Sequence, residues 1–329
     1  MDCSRSLSKT VITPLSLLLS SFCLFANFAA AFNFSTITFD QGYTPLFSDF
    51  NIIRSDDDKT VSLLLNRYSG SGFISSEYYN YGLFSAKIKL PSNYSAGIVV
   101  AFYTSNVDVF EKSHDELDFE FLGNIRGKPW RFQTNLYGNG STSRGREERF
   151  YVDEVPIREV IRNPAMGSDY PSKPMSLYAT IWDASTWATS GGKYKVNYNF
   201  QPFVSEFTDL VLEGCTVDPI QQIPAAAAPC DRDTDALEAD DINTISAEGR
   251  KAMSWFRERY MYYSYCYDLM RYPVPPPECV IVPSERHLFK DTGRLKEALK
   301  IKFGRHQKHR RRGSRRGRRD AGGAATTSF

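Results

Sequence analysis

In the stretch His114-Asp115-Glu116-Leu117-Asp118-Phe119-Glu120-Phe121, acids and apolar residues alternate, with carboxylates at 116, 118 and 120 and Leu or Phe between them. Period two belongs to a strand with two different faces. One face then carries three carboxylates while Leu117, Phe119 and Phe121 pack into a core. Like charges crowd on such a face, and burying them is unfavourable unless they are paired or protonated. The pattern therefore points to a site. Retaining glycoside hydrolysis needs two carboxyl groups roughly 5–5.5 Å apart across the scissile bond, one attacking the anomeric carbon and one donating a proton to the leaving oxygen. On a straight strand the Cα atoms of Glu116 and Glu120 lie about 13 Å apart at ~3.3 Å per residue, and two long side chains leaning together on a concave face close much of that gap. Asp118 sits between them and can push their proton affinities apart. From spacing alone, an acidic strand facing solvent stays open as the alternative. Calcium prefers oxygen ligands converging from a loop, and four histidines without paired spacing argue against zinc. Neither metal nor cofactor is expected.

The elements that must position these acids read as strands. Val61–Leu65, Gly82–Leu90 and Ala96–Tyr103 are strand-like runs punctuated by Gly70, Gly72, Pro91 and Asn93. Gly97, inside an apolar run, fits a bulge or a close backbone approach. No helical period of any length precedes residue 245, so the chain is expected to be all-β, a sandwich of antiparallel sheets. Gln133-Thr134-Asn135-Leu136-Tyr137 alternates again and should pair beside the acid strand. Gln133 and Asn135 would share its face, either to bind sugar hydroxyls or as ordinary cross-strand pairs. Flat rings stack on the C–H faces of sugars; Trp182 and Trp187 are candidates, with a core role for one of them as the alternative. Gly191-Gly192 permits a tight loop under bound sugar. Ala247–Met261 reads as a helix with Met253, Phe256 and Tyr260 on one face.

The run His114-Asp115-Glu116-Leu117-Asp118-Phe119-Glu120-Phe121-Leu122-Gly123-Asn124 closely resembles the active-site strand of plant xyloglucan endotransglucosylase/hydrolases, members of glycoside hydrolase family sixteen. The resemblance covers roughly residues 33–285. It implies a concanavalin-like jelly roll with a small disulfide-bonded C-terminal extension. It implies Glu116 as nucleophile, Glu120 as general acid/base and Asp118 as helper. It makes Arg146 and Glu147 candidates for contacting the glucan, with a solvated surface charge cluster as the alternative, and implies that Trp182 and Trp187 line the groove beyond the cleavage point. Tyr262–Tyr272 resembles the family's extension on the acceptor side, making Tyr265 and Arg271 candidates there; a disulfide-clamped structural knot is the other reading. Four cysteines late in the chain allow three pairings; the resemblance favours Cys215–Cys230 and Cys266–Cys279. One departure stands out. Between Phe150 and Tyr151 the family carries a further stretch with a Trp-Phe-Asp-Pro turn and a His-x-Tyr-x-Ile-x-Trp strand. Roughly two dozen residues are absent here, enough for two strands and their turns. Unpaired edges and an open core are then expected, and with them a poorly folded or inactive chain, leaving a non-catalytic glucan-binding protein as the competing reading.

The remaining organisation follows composition. Residues 1–31, with Arg5, Lys9, an apolar run from Val11 to Phe28 and Ala29-Ala30-Ala31, read as a secretory leader; a membrane anchor is the alternative. Residues 32–214 form the catalytic sandwich, 215–285 the extension and 286–329 a basic tail. Residues 300–320 hold eleven Lys/Arg and one acid, so the overall +2 hides an acidic body of charge −8. Behind a leader, such a tail fits attraction to anionic wall pectin rather than to nucleic acid, with a merely solvated tail as the alternative. Asn33, Asn93 and Asn139 stand in glycan acceptor patterns. The expected protein is a monomer secreted to the cell wall (apoplast), with xyloglucan donor and acceptor chains as its partners.

Overall fold

The computed structural model describes residues 34–142, 148–161, 165, 171–219 and 245–289. The leader, nearly all of the basic tail, Asn33, Arg146, Glu147 and Cys230 lie outside these residues.

A seven-stranded antiparallel sheet runs β1 (Tyr43–Phe47), β4 (Ser71–Ser75), β12 (Ser176–Asp183), β6 (Ile98–Ser105), β7 (Glu116–Leu122), β8 (Arg131–Gly138), β9 (Ser141–Thr142). A four-stranded sheet runs β2 (Ile52–Arg54), β3 (Thr60–Leu65), β13 (Phe203–Thr216), β5 (Tyr79–Lys89). A hairpin, β10 (Glu148–Val152) with β11 (Val155–Val160), forms a two-stranded sheet of its own. Among the described residues, helical structure is confined to short turns such as α1 (Phe39–Gly42), the irregular turn α2 (Ala188–Gly192), whose Thr189, Ser190 and Gly191 are left-handed, and one longer helix, α3 (Ala247–Tyr260). None of these helices is long and apolar enough to cross a membrane.

The main core lies between the two large sheets. Val61, Leu63 and Leu65 alternate inward from β3, Phe203 and Phe207 come from β13, and Leu177, Ala179 and Ile181 from β12. Phe73 meets Phe207 edge to face, the arrangement that aromatic quadrupoles favour. Gly97 confirms the close approach expected of it. Its φ is +82°, and a Cβ there would stand 2.7 Å from the Val196 nitrogen.

The stretch around Phe150 corrects part of the expectation. The core is not open there. Phe150, Ile157 and Val160 of the hairpin join Leu136 in a second cluster, with Leu117, Phe119, Phe132 and Phe256 of α3 packed against it. Arg158 ties these parts together. Its Nη1 donates to the Thr134 carbonyl (3.0 Å) and hydroxyl (2.9 Å) on β8, and its guanidinium lies 5.5 Å from the ring centroids of both Phe150 and Tyr265. The expected loose edge is present in another form. Among the described residues, β8 has a strand partner on its outer side only at Tyr137 and Gly138, through β9. If the second cluster belongs to the cooperative fold, Phe150→Ala should lower stability by about 3–5 kcal/mol, the range for buried Phe truncations. Denaturant unfolding measures this, and a loss below about 1 kcal/mol would mean the hairpin is not part of that unit.

The helix expectation holds to within one residue. Ser246 caps α3 by accepting from the Gly249 amide (3.0 Å), and Arg257 and Arg259 in its last turn suit the negative end of the helix dipole.

Candidate active site

β7 pairs with β6 and β8 in a register that builds rows across the sheet. Ser105, Glu116 and Tyr137 form one row, Tyr103, Asp118 and Asn135 the next, and Ala101, Glu120 and Gln133 the third. Because successive residues of a strand alternate faces, all three acids share the face turned away from the core. Leu117, Phe119 and Phe121 take the core face. β12 continues the rows with Tyr178 beside Tyr103 and Trp182 beside Val99.

Asp118 is the deepest of the acids, 5% exposed. Burial lifts its carboxyl well above the ordinary Asp range, and the charges of Glu116 and Glu120 add to the lift. Glu116 is also raised, by burial first. Hydrogen bonds from Ser105 and Asp118 and the nearby His114 pull it back. Of the two, Asp118 is raised more strongly, and its interaction with Glu116 holds the Glu116 carboxyl lower. Glu120 is held differently. Its Oε2 accepts from Gln133 Nε2 (2.6 Å) and Asn135 Nδ2 (2.8 Å), and Oε1 has no hydrogen-bond partner among the described residues. Gln133 and Asn135 thus share the acid face as expected, both amides reaching Glu120 and that of Asn135 acting on Asp118 as well.

The aromatic loop is tied to the end of β7. Thr189 Oγ1 donates to the Gly123 carbonyl (2.7 Å) and accepts from the Gly97 amide (2.8 Å). Gly191 and Gly192 have φ of +67° and +76°, and a Cβ on Gly192 would meet the Thr186 carbonyl at 2.4 Å. Trp182 and Trp187 lie 5.9 Å apart at their centroids. Trp182 packs on Val99, Ala184 and Ala188, while Trp187 is 36% exposed.

In the extension, Cys266 and Cys279 form a disulfide, the pairing expected for them. Cys215 is disulfide-bonded too. Arg271 is exposed, and its charge reaches Tyr137, in the row of Glu116. Tyr265 is turned inward, its hydroxyl 3.0 Å from Glu278 Oε1. Asn93 and Asn139 are exposed. Sequence reasoning missed Ser105, Tyr103 and Tyr137, which flank the acids from neighbouring strands. Only the register reveals them.

An antiparallel sandwich that presents two glutamates with an aspartate between them on one face carries the paired carboxyl groups that glycoside cleavage requires. The family description "Glycosyl hydrolases family 16" matches residues 39–149 and 146–200, and "Xyloglucan endo-transglycosylase (XET) C-terminus" matches 233–279. Similar chains include the probable xyloglucan endotransglucosylase/hydrolase protein 30 of Arabidopsis thaliana, 56% identical over 337 residues and covering 95% of each chain. Protein 29 of the same plant is 56% identical over 298 residues, covering 80% of this chain and 83% of the relative. A prokaryotic β-1,3-1,4-glucanase (lichenase) from a mouse hindgut metagenome matches 56% of this chain and 98% of its own, at 18% identity and a TM-score of 0.37. The chain belongs to glycosyl hydrolase family 16, among its xyloglucan endotransglucosylase/hydrolases.

Proposed function

We propose that the protein cuts and rejoins xyloglucan by a retaining double displacement. The observation that carries this reading is the acid row itself: Glu116, Asp118 and Glu120 share one face of β7, burial raises Asp118 most, and Gln133 and Asn135 hold Glu120 through Oε2. The Glu116 carboxylate attacks the anomeric carbon of a β-1,4-linked backbone glucose. The glycosidic C–O bond breaks, and the Glu120 proton goes to the departing oxygen. A glycosyl ester on Glu116 remains. Glu120, now a carboxylate, takes the proton from an acceptor hydroxyl as that oxygen attacks the same carbon and Glu116 leaves. A xyloglucan acceptor gives transfer, and water gives hydrolysis. Trp182 and Trp187 offer rings to the sugar, and Arg271 in the extension 215–285 stands on the acceptor side. Arg146 and Glu147 are proposed to contact the glucan. The 32–214 sandwich with this extension would act as a monomer in the cell wall after removal of residues 1–31. Asn33, Asn93 and Asn139 would be glycan acceptors, Cys230 the partner of Cys215, and the basic tail an electrostatic contact to pectin.

The same reading holds that about two dozen residues are lost next to Phe150. Two observations support it. The family-16 match comes in two pieces that meet at residues 146–149. The alignment to protein 30 takes 337 positions for 95% of a 329-residue chain, leaving about two dozen positions without a counterpart. The closed second cluster favours the enzyme over a non-catalytic binder. Incubating the purified 329-residue chain with xyloglucan and a fluorescent xyloglucan oligosaccharide tests this. Label moving into high-mass polymer is the expected result. Binding without transfer or hydrolysis would overturn it.

A further inference from the structure

We infer that Asp115 and Lys173 form a positioning pair that fixes Glu116 for attack, an inference that rests on the reading of Glu116 as nucleophile. Asp115 immediately precedes Glu116 and is completely buried, at 0% exposure. Strand alternation turns its side chain away from the acid face. A charge so placed needs full compensation, and Asp115 receives it from four donors. Oδ1 accepts from the Asn139 amide (2.8 Å) and Lys173 Nζ (2.9 Å), and Oδ2 from the amides of Ser172 (2.7 Å) and Lys173 (2.8 Å). Lys173 Nζ donates again to the Ser113 carbonyl (2.7 Å) and lies 5.6 Å from the Phe110 ring centroid.

Asn106, also completely buried, closes the knot. Its Oδ1 accepts from the Asp115 amide (2.8 Å), and its Nδ2 donates to the Pro174 carbonyl (2.9 Å). The turn after β8 and the segment before β12 thus converge on the carboxylate of the residue beside Glu116, and the chain leaving β6 holds that residue's backbone amide. The turn is built for this approach. Asn139 and Gly140 are both left-handed (φ +53° and +76°), and a Cβ on Gly140 would sit 2.1 Å from the Lys112 carbonyl. Neither Asp115 nor Lys173 is in the row that faces substrate. Their effect is exerted through the position of Glu116, and a misplacement of about 1 Å can cost on the order of 10²-fold in rate.

The test is Asp115→Asn and Lys173→Met in the full chain, with Ile157→Ala in the second core as a control of similar destabilisation. In Asp115→Asn, kcat per folded molecule should fall roughly 10- to 100-fold with donor KM within about twofold. Lys173→Met, which keeps the three backbone donors, should fall less. Ile157→Ala should keep its kcat. Amide exchange at Asp115–Leu117, which does not depend on turnover, should quicken at least about tenfold in Asp115→Asn relative to Ile157→Ala. Wild-type kcat and unchanged exchange in both pair variants would overturn the inference, as would a kcat loss matched by Ile157→Ala. Glu116→Ala is measured in parallel. If it keeps turnover, the nucleophile assignment fails, and the exchange data still decide whether the pair holds the start of β7.

Discussion

Glu116→Ala should reduce both transfer and hydrolysis by roughly 10⁴-fold or more, because removing a covalent nucleophile abolishes the two-step route. The folded state should survive the change. The Glu116 charge adds to the electrostatic burden on the buried Asp118, and removing it relieves part of that crowding. The unfolding temperature near neutral pH is therefore expected at or above that of the parent, and a variant that is both inactive and unfolded would sink this account. The pH dependence has a sign that can be worked out. Glu116 must be ionised to attack, and burial raises it above the ordinary Glu value. The acid limb of kcat/KM, which reports the free enzyme, should therefore lie above the ordinary Glu value. Asp118 acts on stability in the opposite sense. Its folded proton affinity exceeds its unfolded one, so the stability it contributes is full below the unfolded value and is lost as pH rises through the folded one. Asp118→Asn should flatten that alkaline decline, as thermal unfolding across pH would record.

How much of this was legible beforehand follows from what each signal depends on. The acid face was legible because alternation is local. Glu116, Asp118 and Glu120 share a face whatever strand lies beside them, and β7 begins at Glu116 as the pattern requires. The all-β class and α3 were legible for the same reason. What Gln133 and Asn135 do was not. Both residues sit opposite acids, but whether an amide turns to sugar or to Glu120 is settled by rotamers and register, which pattern does not carry. Ser105 and Tyr103 were hidden because β6 is apolar on its core face and nearly as buried on the other, so its periodicity is weak. Asp115 was hidden by its neighbours, since in sequence it looks like one more acid of the run. Burial and four donors set it apart, three of them from backbone far along the chain. The packing at the Phe150 junction was not legible for a related reason. Counting absent strands shows which ladder bonds disappear, but not that Phe150, Ile157 and Phe256 can close a core by themselves.

Glu120→Ala should lower turnover on xyloglucan by roughly 10²- to 10⁴-fold, the span of a well-placed general acid/base, and its effect should depend on the leaving group. Gln133 and Asn135 occupy one oxygen of Glu120, so a single oxygen carries the proton out and back. An aryl glycoside donor with an acidic phenol departs without that proton. With such a donor, formation of the glycosyl ester on Glu116 should recover in Glu120→Ala. The second step should stay slow, because the acceptor hydroxyl still lacks its base. The ester should then accumulate, visible as an added glycosyl mass on the intact protein. Glu116→Ala cannot form it and should show no such species with either donor. Equal losses on natural and activated donors in Glu120→Ala would place Glu120 outside the proton path. Gln133→Ala with Asn135→Ala would release Oε2 and leave Glu120 less well aimed, so that pair should show the same leaving-group dependence in weaker form. The two amides are thereby joined to the acid they hold, and the ordering of the three effects is a property of the geometry rather than of any one side chain.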